Sequence, residues 1–297
     1  MKTLRLVLGD QLSRDLPSLV DLDPAKDLVL MAEVMSEVTY VKHHKRKIAY
    51  LFSAMRHFAK SLGDDGIAVR YRRLDDADNA GSLAGEVAAA IAAFGPDRIV
   101  ITAPGEYRLA DEMVGWQARF GLDVDIRADT RFLCSLDDFA EWAEGRKSLR
   151  MEFFYRDLRR RYKVLMEGDE PIGGKWNYDA DNRQPPKAGL AVPLPSSFAP
   201  DAITTEVLAL VEMRCADHFG QLAGFDFAVT RDQALHVLDQ FINERLPLFG
   251  TYQDAMIEGE PWMYHSHIGL YLNAGLLSPI EVIRAAETCL LYTSPSP

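Results

Sequence analysis

Cysteine is scarce in this chain: Cys134, Cys215 and Cys289 are the three among 297 residues, and no two form a Cys-x-x-Cys pair. That argues against a disulfide framework and against a self-contained zinc ribbon. No apolar run approaches the length that crosses a bilayer, and the opening Met-Lys-Thr-Leu-Arg-Leu-Val-Leu-Gly lacks the small-residue cleavage site of a signal peptide. A mature cytoplasmic protein with no membrane segment is therefore expected. Positive charge is in deficit, with a net charge of −11, which argues against a generally basic nucleic-acid binder. Two local basic clusters remain. One is Lys42-His43-His44-Lys45-Arg46-Lys47, and the other is Arg156, Arg159, Arg160, Arg161 and Lys163. Each is an ordinary solvated helix face unless the fold aims it at an anion.

What is present is a length sufficient for two cores and an α/β pattern over residues 1–131. Apolar runs at Leu4–Leu8, Leu28–Ala32, Ile67–Leu74, Arg98–Ala103 and Leu122–Arg127 predict strands. Helical periodicity at Lys45–Lys60, Ser82–Ala93 and Ala110–Phe120 falls between them. Strands alternating with helices predict a doubly wound parallel sheet covered on both faces. No Gly-x-Gly-x-x-Gly follows the first strand, which disfavours a dinucleotide site of the NAD type. The strand ends carry Gly9-Asp10-Gln11, Glu33 to Tyr40 and Pro104-Gly105-Glu106-Tyr107 instead. Open α/β sheets bind ligands at such an edge.

Residues 132–202 hold two helices, Ser135–Glu144 with Ser135 as N-cap and Met151–Met166, then an irregular connection. That connection contains Gly173–Pro186, where Trp176 and Tyr178 suggest packing against a surface. Residues 203–297 read as helical. Thr230-x-x-Gln233 and Ser278-Pro279-x-Glu281 have capping-box spacing. Between them, His265-Ser266-His267-Ile268-Gly269 predicts a helix start whose free backbone N–H groups would face an anion. Tyr252 lies upstream of it.

This order resembles the photolyase and cryptochrome superfamily. The family's flavin domain has a Tyr, a short segment, and then Thr-Ser-x-Leu-Ser-x-Tyr-Leu-x-x-Gly-x-Leu-Ser-Pro. Here His265 stands in place of Thr, Gly269 replaces a Ser, and Ser266, Ile268, Tyr271, Leu272, Gly275, Leu277, Ser278 and Pro279 keep the pattern. Blocks at Gly9–Leu12, Glu33–Glu37, Tyr40–Lys45, Phe52–Phe58, Asp75–Asn79, Gly145–Glu152 and Gly173–Pro185 resemble one branch, the iron-sulfur bacterial cryptochromes and photolyases. The similarity runs to about Glu287.

The resemblance implies an N-terminal antenna domain followed by the first part of an all-helical flavin domain. It implies FAD at Tyr252, His265, Ser266, His267, Ile268 and Gly269. It implies a ribityl-lumazine antenna at Gly9, Asp10, Gln11, Glu37, Tyr40 and His43. It also implies a [4Fe–4S] cluster whose ligands this chain does not supply, because its three cysteines do not match the cluster positions. The implied activity is light-dependent repair of (6-4) photoproducts in damaged DNA, by a monomer in its complete form. A blue-light photoreceptor of the same fold, an inert fragment folded only in its α/β half, and an unrelated nucleotide-binding α/β domain are the alternatives. Beyond Glu287 the sequence Thr288–Pro297 leaves the family pattern, and a truncated frame with foreign sequence at its end is expected. No catalytic or metal-ligating residue is assigned.

Overall fold

A computed structural model describes residues 1–178, 182–187 and 189–293. Asp179–Asp181 of the irregular connection and Ser294–Pro297 of the tail lie outside the described residues. The apolar runs of the first 131 residues form β1 (Thr3–Leu6), β2 (Leu28–Ala32), β3 (Val69–Arg72), β4 (Arg98–Thr102) and β5 (Asp123–Arg127). All pair in parallel, in the order β3-β2-β1-β4-β5. The connections carry α1 (Met35–Thr39), α2 (Lys45–Asp64), α3 (Leu83–Phe94), α4 (Tyr107–Val114) and α5 (Trp116–Phe120). Beyond the sheet lie α6 (Leu136–Ala143), α7 (Met151–Tyr162), a short hairpin of β6 (Met166–Glu167) and β7 (Glu170–Pro171), and α8 (Ala202–Arg214). Then come α9 (Arg231–Gln240), a π-helical turn over Phe241–Arg245, α10 (Leu246–Tyr252), α11 (Gly269–Ala274) and α12 (Pro279–Thr293).

The chain forms two compact units, neither contiguous in sequence. The first comprises Met1–Arg131, Ser197–Gln233 and Asn273–Leu276, and the second comprises Phe132–Ser196, Ala234–Leu272 and Leu277–Pro297. In the first unit, alternate residues of the central strands, Leu4, Leu6, Leu30, Ile99 and Ile101, are fully buried against Leu83, Val87 and Ala90 of α3 and against Leu109, Met113 and Trp116. Burying side chains of this size stabilises by about 1.5–3 kcal/mol each. The long helix α2 packs against α8. In the second unit Phe139, Trp142 and Phe154 form an aromatic cluster. The Trp176 ring lies among the guanidinium groups of Arg156, Arg159 and Arg160, 4.6–5.3 Å away. Part of the second basic cluster therefore pins the irregular connection in place.

Several elements differ from the sequence expectation. The helix expected over Ala110–Phe120 starts earlier and breaks at Gly115, whose backbone (φ −78, ψ −9) ends α4 and begins α5. Glycine has little to lose there, having the weakest helix preference after proline. The Glu33–Tyr40 loop contains α1. Helix α7 stops at Tyr162 instead of Met166, because Lys163 and Leu165 take left-handed backbone angles. The buried Arg159 guanidinium then satisfies the freed Val164 and Leu165 carbonyls. The helix expected to open at His265 begins at Gly269 and is six residues long. His267, at φ 55, turns the chain before it. Helix α12 continues through Glu287 to Thr293, so helical structure does not stop where the family pattern does. Leu290 and Leu291 are good helix formers, and the Thr288 hydroxyl donates back to the Arg284 carbonyl.

Candidate functional site

The strand order reverses between β1 and β4. The connections leaving their carboxyl ends depart in opposite directions and leave a crevice. Gly9, at the end of the β1 segment, lies against the Met55 side chain. Gln11 is fully buried. Its amide nitrogen donates to the Thr102 and Ala103 carbonyls at 3.1 and 3.3 Å, and its oxygen accepts from the Leu8 amide. Gln11 thus lies beneath the crevice and ties its two lips together. Asp10 keeps an exposed surface, yet the atoms crowded around its carboxyl push its pKa up, against the lowering pull of Arg131. The Arg131 guanidinium donates to the Asp10 carbonyl at 2.7 Å. Next to it the Leu12 amide donates to the Ala274 carbonyl at 2.8 Å. Gly275 follows at φ 83, where a Cβ would stand 2.5 Å from Arg131 Nη1 and 2.9 Å from the Leu12 nitrogen. Only glycine fits there.

The outer edge of the crevice centres on Arg108, a residue the sequence reading missed. Its Nη atoms donate to both Glu37 oxygens at 3.1 and 2.5 Å, and its Nε donates to Glu106 at 2.9 Å. The guanidinium lies 4.4 Å over the Tyr40 ring. Tyr40 in turn meets the His43 ring edge-on at 5.1 Å. The hydrogen bonds to Glu37 and then Glu106 hold the Arg108 pKa above its ordinary value. Burial, then Lys47, lowers that of His43. Burial, then Glu106, raises that of Tyr40, and the phenol therefore stays a donor. Glu37, Tyr40 and His43 are brought together, with Asp10 acting on Tyr40 through its charge. A planar, part-exposed aromatic surface with carboxylates beside it suits a flat heteroaromatic ligand bearing hydroxyl groups. A signal for Arg108 existed in its place two residues after Glu106 at a strand end.

Glu33 does not belong to this open edge, contrary to expectation. Its carboxylate is fully buried and accepts from Arg56 at 2.6 and 3.0 Å, from the Tyr71 hydroxyl at 2.7 Å and from the Leu74 amide at 3.0 Å. It holds β2, β3 and α2 together.

In the second unit Tyr252 is buried and stacks on Tyr264, with centroids 5.8 Å apart. His265 is exposed and meets Phe249 edge-on at 6.0 Å. Ser266 is half-buried, and the His267 ring meets Trp262 at 5.1 Å. Ile268 is buried, and its carbonyl accepts from the Tyr271 and Leu272 amides, which starts the helical turn behind the exposed Gly269. Beneath this loop lies Arg245, 2% exposed. It donates to the Pro193, Met263 and His265 carbonyls. Among the described residues no carboxylate pairs with it, and burial lowers its pKa. A buried guanidinium hydrogen-bonded to carbonyl oxygens, with Glu244 acting on it only through its charge, keeps a charge that an anion such as a flavin pyrophosphate would offset. The His265–Gly269 loop therefore fits such a group. A four-thiolate iron-sulfur cluster does not fit, since the chain has three cysteines and no metal-binding group of His, Cys, Asp or Glu occurs among the described residues. Among them, too, no helix is long and apolar enough to cross a membrane.

Residues 5–227 match the family described as deoxyribodipyrimidine photo-lyase-related protein. A protein of Agrobacterium fabrum named (6-4) photolyase is 51% identical over 287 residues, covering 97% of this chain and 57% of the relative. The chain thus spans little more than half of that relative's length. An uncharacterized protein of Acanthamoeba polyphaga mimivirus is 26% identical over 149 residues, 49% of this chain and 74% of that protein. Among solved structures, a bacterial class III photolyase from Agrobacterium tumefaciens matches with a TM-score of 0.56, over 99% of this chain and 54% of the other. At 14% identity that likeness is one of fold.

Proposed function

This chain belongs to the deoxyribodipyrimidine photo-lyase-related protein family, and from that premise we propose that it carries the antenna domain and the beginning of the flavin domain of a light-dependent DNA-repair protein. The observation that carries this reading is the Arg108–Tyr40 stack, with Glu37 paired to the guanidinium and the Asp10 charge acting on Tyr40, at the reversal point of the sheet. Gly9, Asp10, Gln11, Glu37, Tyr40 and His43, with Arg108, would hold a ribityl-lumazine. The ring would stack on Tyr40, and the carboxylates of Glu37 and Asp10 would accept from ribityl hydroxyls. Tyr252, His265, Ser266, His267, Ile268 and Gly269, with Arg245 below them, would hold FAD by its phosphates. Light harvesting and electron transfer are the chemistry these two groups would supply when bound.

The substrate in this reading is DNA carrying a (6-4) photoproduct, presented as a flipped-out lesion. The domain limits 1–131, 132–202 and 203–297, a cytoplasmic location and a monomeric state belong to the same reading. No step is assigned to an iron-sulfur cluster, because the cysteines present do not fit one.

The test is direct binding of a ribityl-lumazine to the purified chain, followed by its fluorescence anisotropy. Saturable binding is expected, weakened roughly tenfold by Arg108→Ala through loss of the stack and its ion pairs. Absence of saturable binding, or an affinity in Arg108→Ala and Tyr40→Ala equal to that of the unaltered chain, would refute the assignment. The phosphate site is checked separately with FAD and Arg245→Met.

A further inference from the structure

The basic run Lys42–Lys47 has a destination that the ligand edge does not explain. From Lys42 to Arg46 it is met, residue by residue, by the segment Cys215–Ala223 that follows α8. Lys42 Nζ donates to the Asp217 carbonyl at 3.0 Å and pairs with its carboxylate. His218 Nδ1 lies 2.9 Å from the His43 carbonyl, to which it donates. The His44 ring meets Phe219 edge-on at 5.2 Å, and Gly220 sits so close to that ring that a Cβ would overlap it. The Lys45 amide donates to the Phe219 carbonyl at 2.9 Å, while its ammonium reaches Glu212 at 3.0 Å. Arg46 closes the series on the Gln221 and Ala223 carbonyls.

These contacts span sequence separations of 167–177 residues. They lie at the carboxyl end of α8, where the helix dipole favours cations. The loop they grip is short. Helix α1 ends at Thr39 and α2 begins at Lys45, and the loop between them presents Tyr40 and Val41 at 45% and 49% exposure. With so little of its own burial, such a loop would otherwise be mobile.

We propose that Cys215–Ala223 is a latch on the Tyr40–His44 loop, with His218 and Asp217 as positioning residues that keep Tyr40 and His43 at the ligand edge. The part concerning ligand rests on the lumazine reading above. His218 is the principal member: its ring is buried, and removing it takes the partner from the part-buried His43 carbonyl. Asp217 is 70% exposed, and its pair with Lys42 contributes less. Opening the latch lowers the fraction of molecules in which Tyr40 stands under Arg108, and apparent affinity falls by that fraction.

The experiment compares His218→Ala, Asp217→Ala and the donor-retaining His218→Asn in two measurements. The first is amide hydrogen exchange of residues 41–45 in the ligand-free chain, with the β1 and β4 amides as internal reference. The second is the ribityl-lumazine Kd. Expected for His218→Ala is exchange at 41–45 faster by roughly tenfold with the strands unchanged, and a Kd raised by a similar factor. Asp217→Ala should give roughly threefold or less, and His218→Asn should recover part of both effects. Unchanged exchange at 41–45 overturns the latch. Faster exchange with an unchanged Kd overturns its role at the ligand edge. If the unaltered chain binds no lumazine, the functional reading falls, and the exchange measurement alone decides the latch.

Discussion

Replacing Glu33 by Gln tests the claim that this carboxylate is a structural joint and not part of a ligand edge. The side chain is fully buried, and its two oxygens accept from Arg56 Nε, Arg56 Nη2, the Tyr71 hydroxyl and the Leu74 amide. Burial, followed by Glu33 itself, raises the Tyr71 pKa well above its ordinary value, so the phenol is a firm donor. An amide of the same shape turns one acceptor oxygen into a donor, and either orientation aims that donor at another. Among the described residues Arg56 is left with Glu206, 3.6 Å away and 58% exposed, as its remaining carboxylate partner. Breaking a buried pair from one side costs about 3–5 kcal/mol. For a domain of this size each kcal/mol moves Tm by about 2–4 °C, so a fall of roughly 6–20 °C is expected. The assay is thermal unfolding of the unaltered chain, Glu33→Gln, Arg56→Met and the double variant Glu33→Leu/Arg56→Met. The double variant should lose much less than the sum of the single losses, since no buried charge remains unpaired. A Tm change in Glu33→Gln below about 2 °C, or strictly additive losses, would refute the reasoning.

Two further outcomes follow from geometry and titration. Gly275→Ala forces a methyl group onto Arg131 Nη1 and the Leu12 nitrogen at a left-handed φ; destabilisation of about 2–4 kcal/mol is expected in urea unfolding, and a loss below about 0.5 kcal/mol would contradict it. Burial is the first cause that lowers the pKa of both His43 and His267, with Lys47 and Arg245 respectively adding to it. The folded chain therefore holds fewer protons than the unfolded chain below the ordinary histidine value of about 6.5. Their contribution is complete above that pH and is lost as pH falls through it toward the folded values. Tm measured between pH 8 and pH 5 should fall on the acid side, and His43→Gln/His267→Gln should flatten that slope; an unchanged slope would exclude these two groups as its source.

Strands β1, β2 and β4 were legible as short runs rich in Val, Ile and Leu between turn residues, a pattern set by burial, and β3 and β5 by apolar residues alternating with charged ones. The N-cap at Ser135 and the capping box at Ser278 were legible for the same reason, being contacts within four residues. Glu33 was not. Its position after β2 looks like that of any strand-end carboxylate, and its burial depends on Arg56 and Tyr71, 23 and 38 residues away. Arg108 went unnoticed because its value comes from Glu37 and Tyr40 on another connection. Arg245 sits in a π-helical turn that periodicity does not signal, and its partners are carbonyls, which carry no sequence mark. The end of α7 at Lys163 was hidden too, since lysine is a good helix former and its left-handed angle comes from the tertiary fit around Arg159.

The grip of residues 215–223 on residues 42–46 has a consequence for synthesis. Helix α2 lies early in the chain, and its partner α8 with the segment behind it is about 160–175 residues later. At translation rates of about 5–20 residues per second, that interval lasts roughly ten to thirty seconds. During it the face of α2 that α8 will cover, and the cations of Lys42, Lys45 and Arg46, stand without their native partners. A nascent chain of this protein is thus exposed to chaperones and proteases for a time fixed by where one helix is encoded.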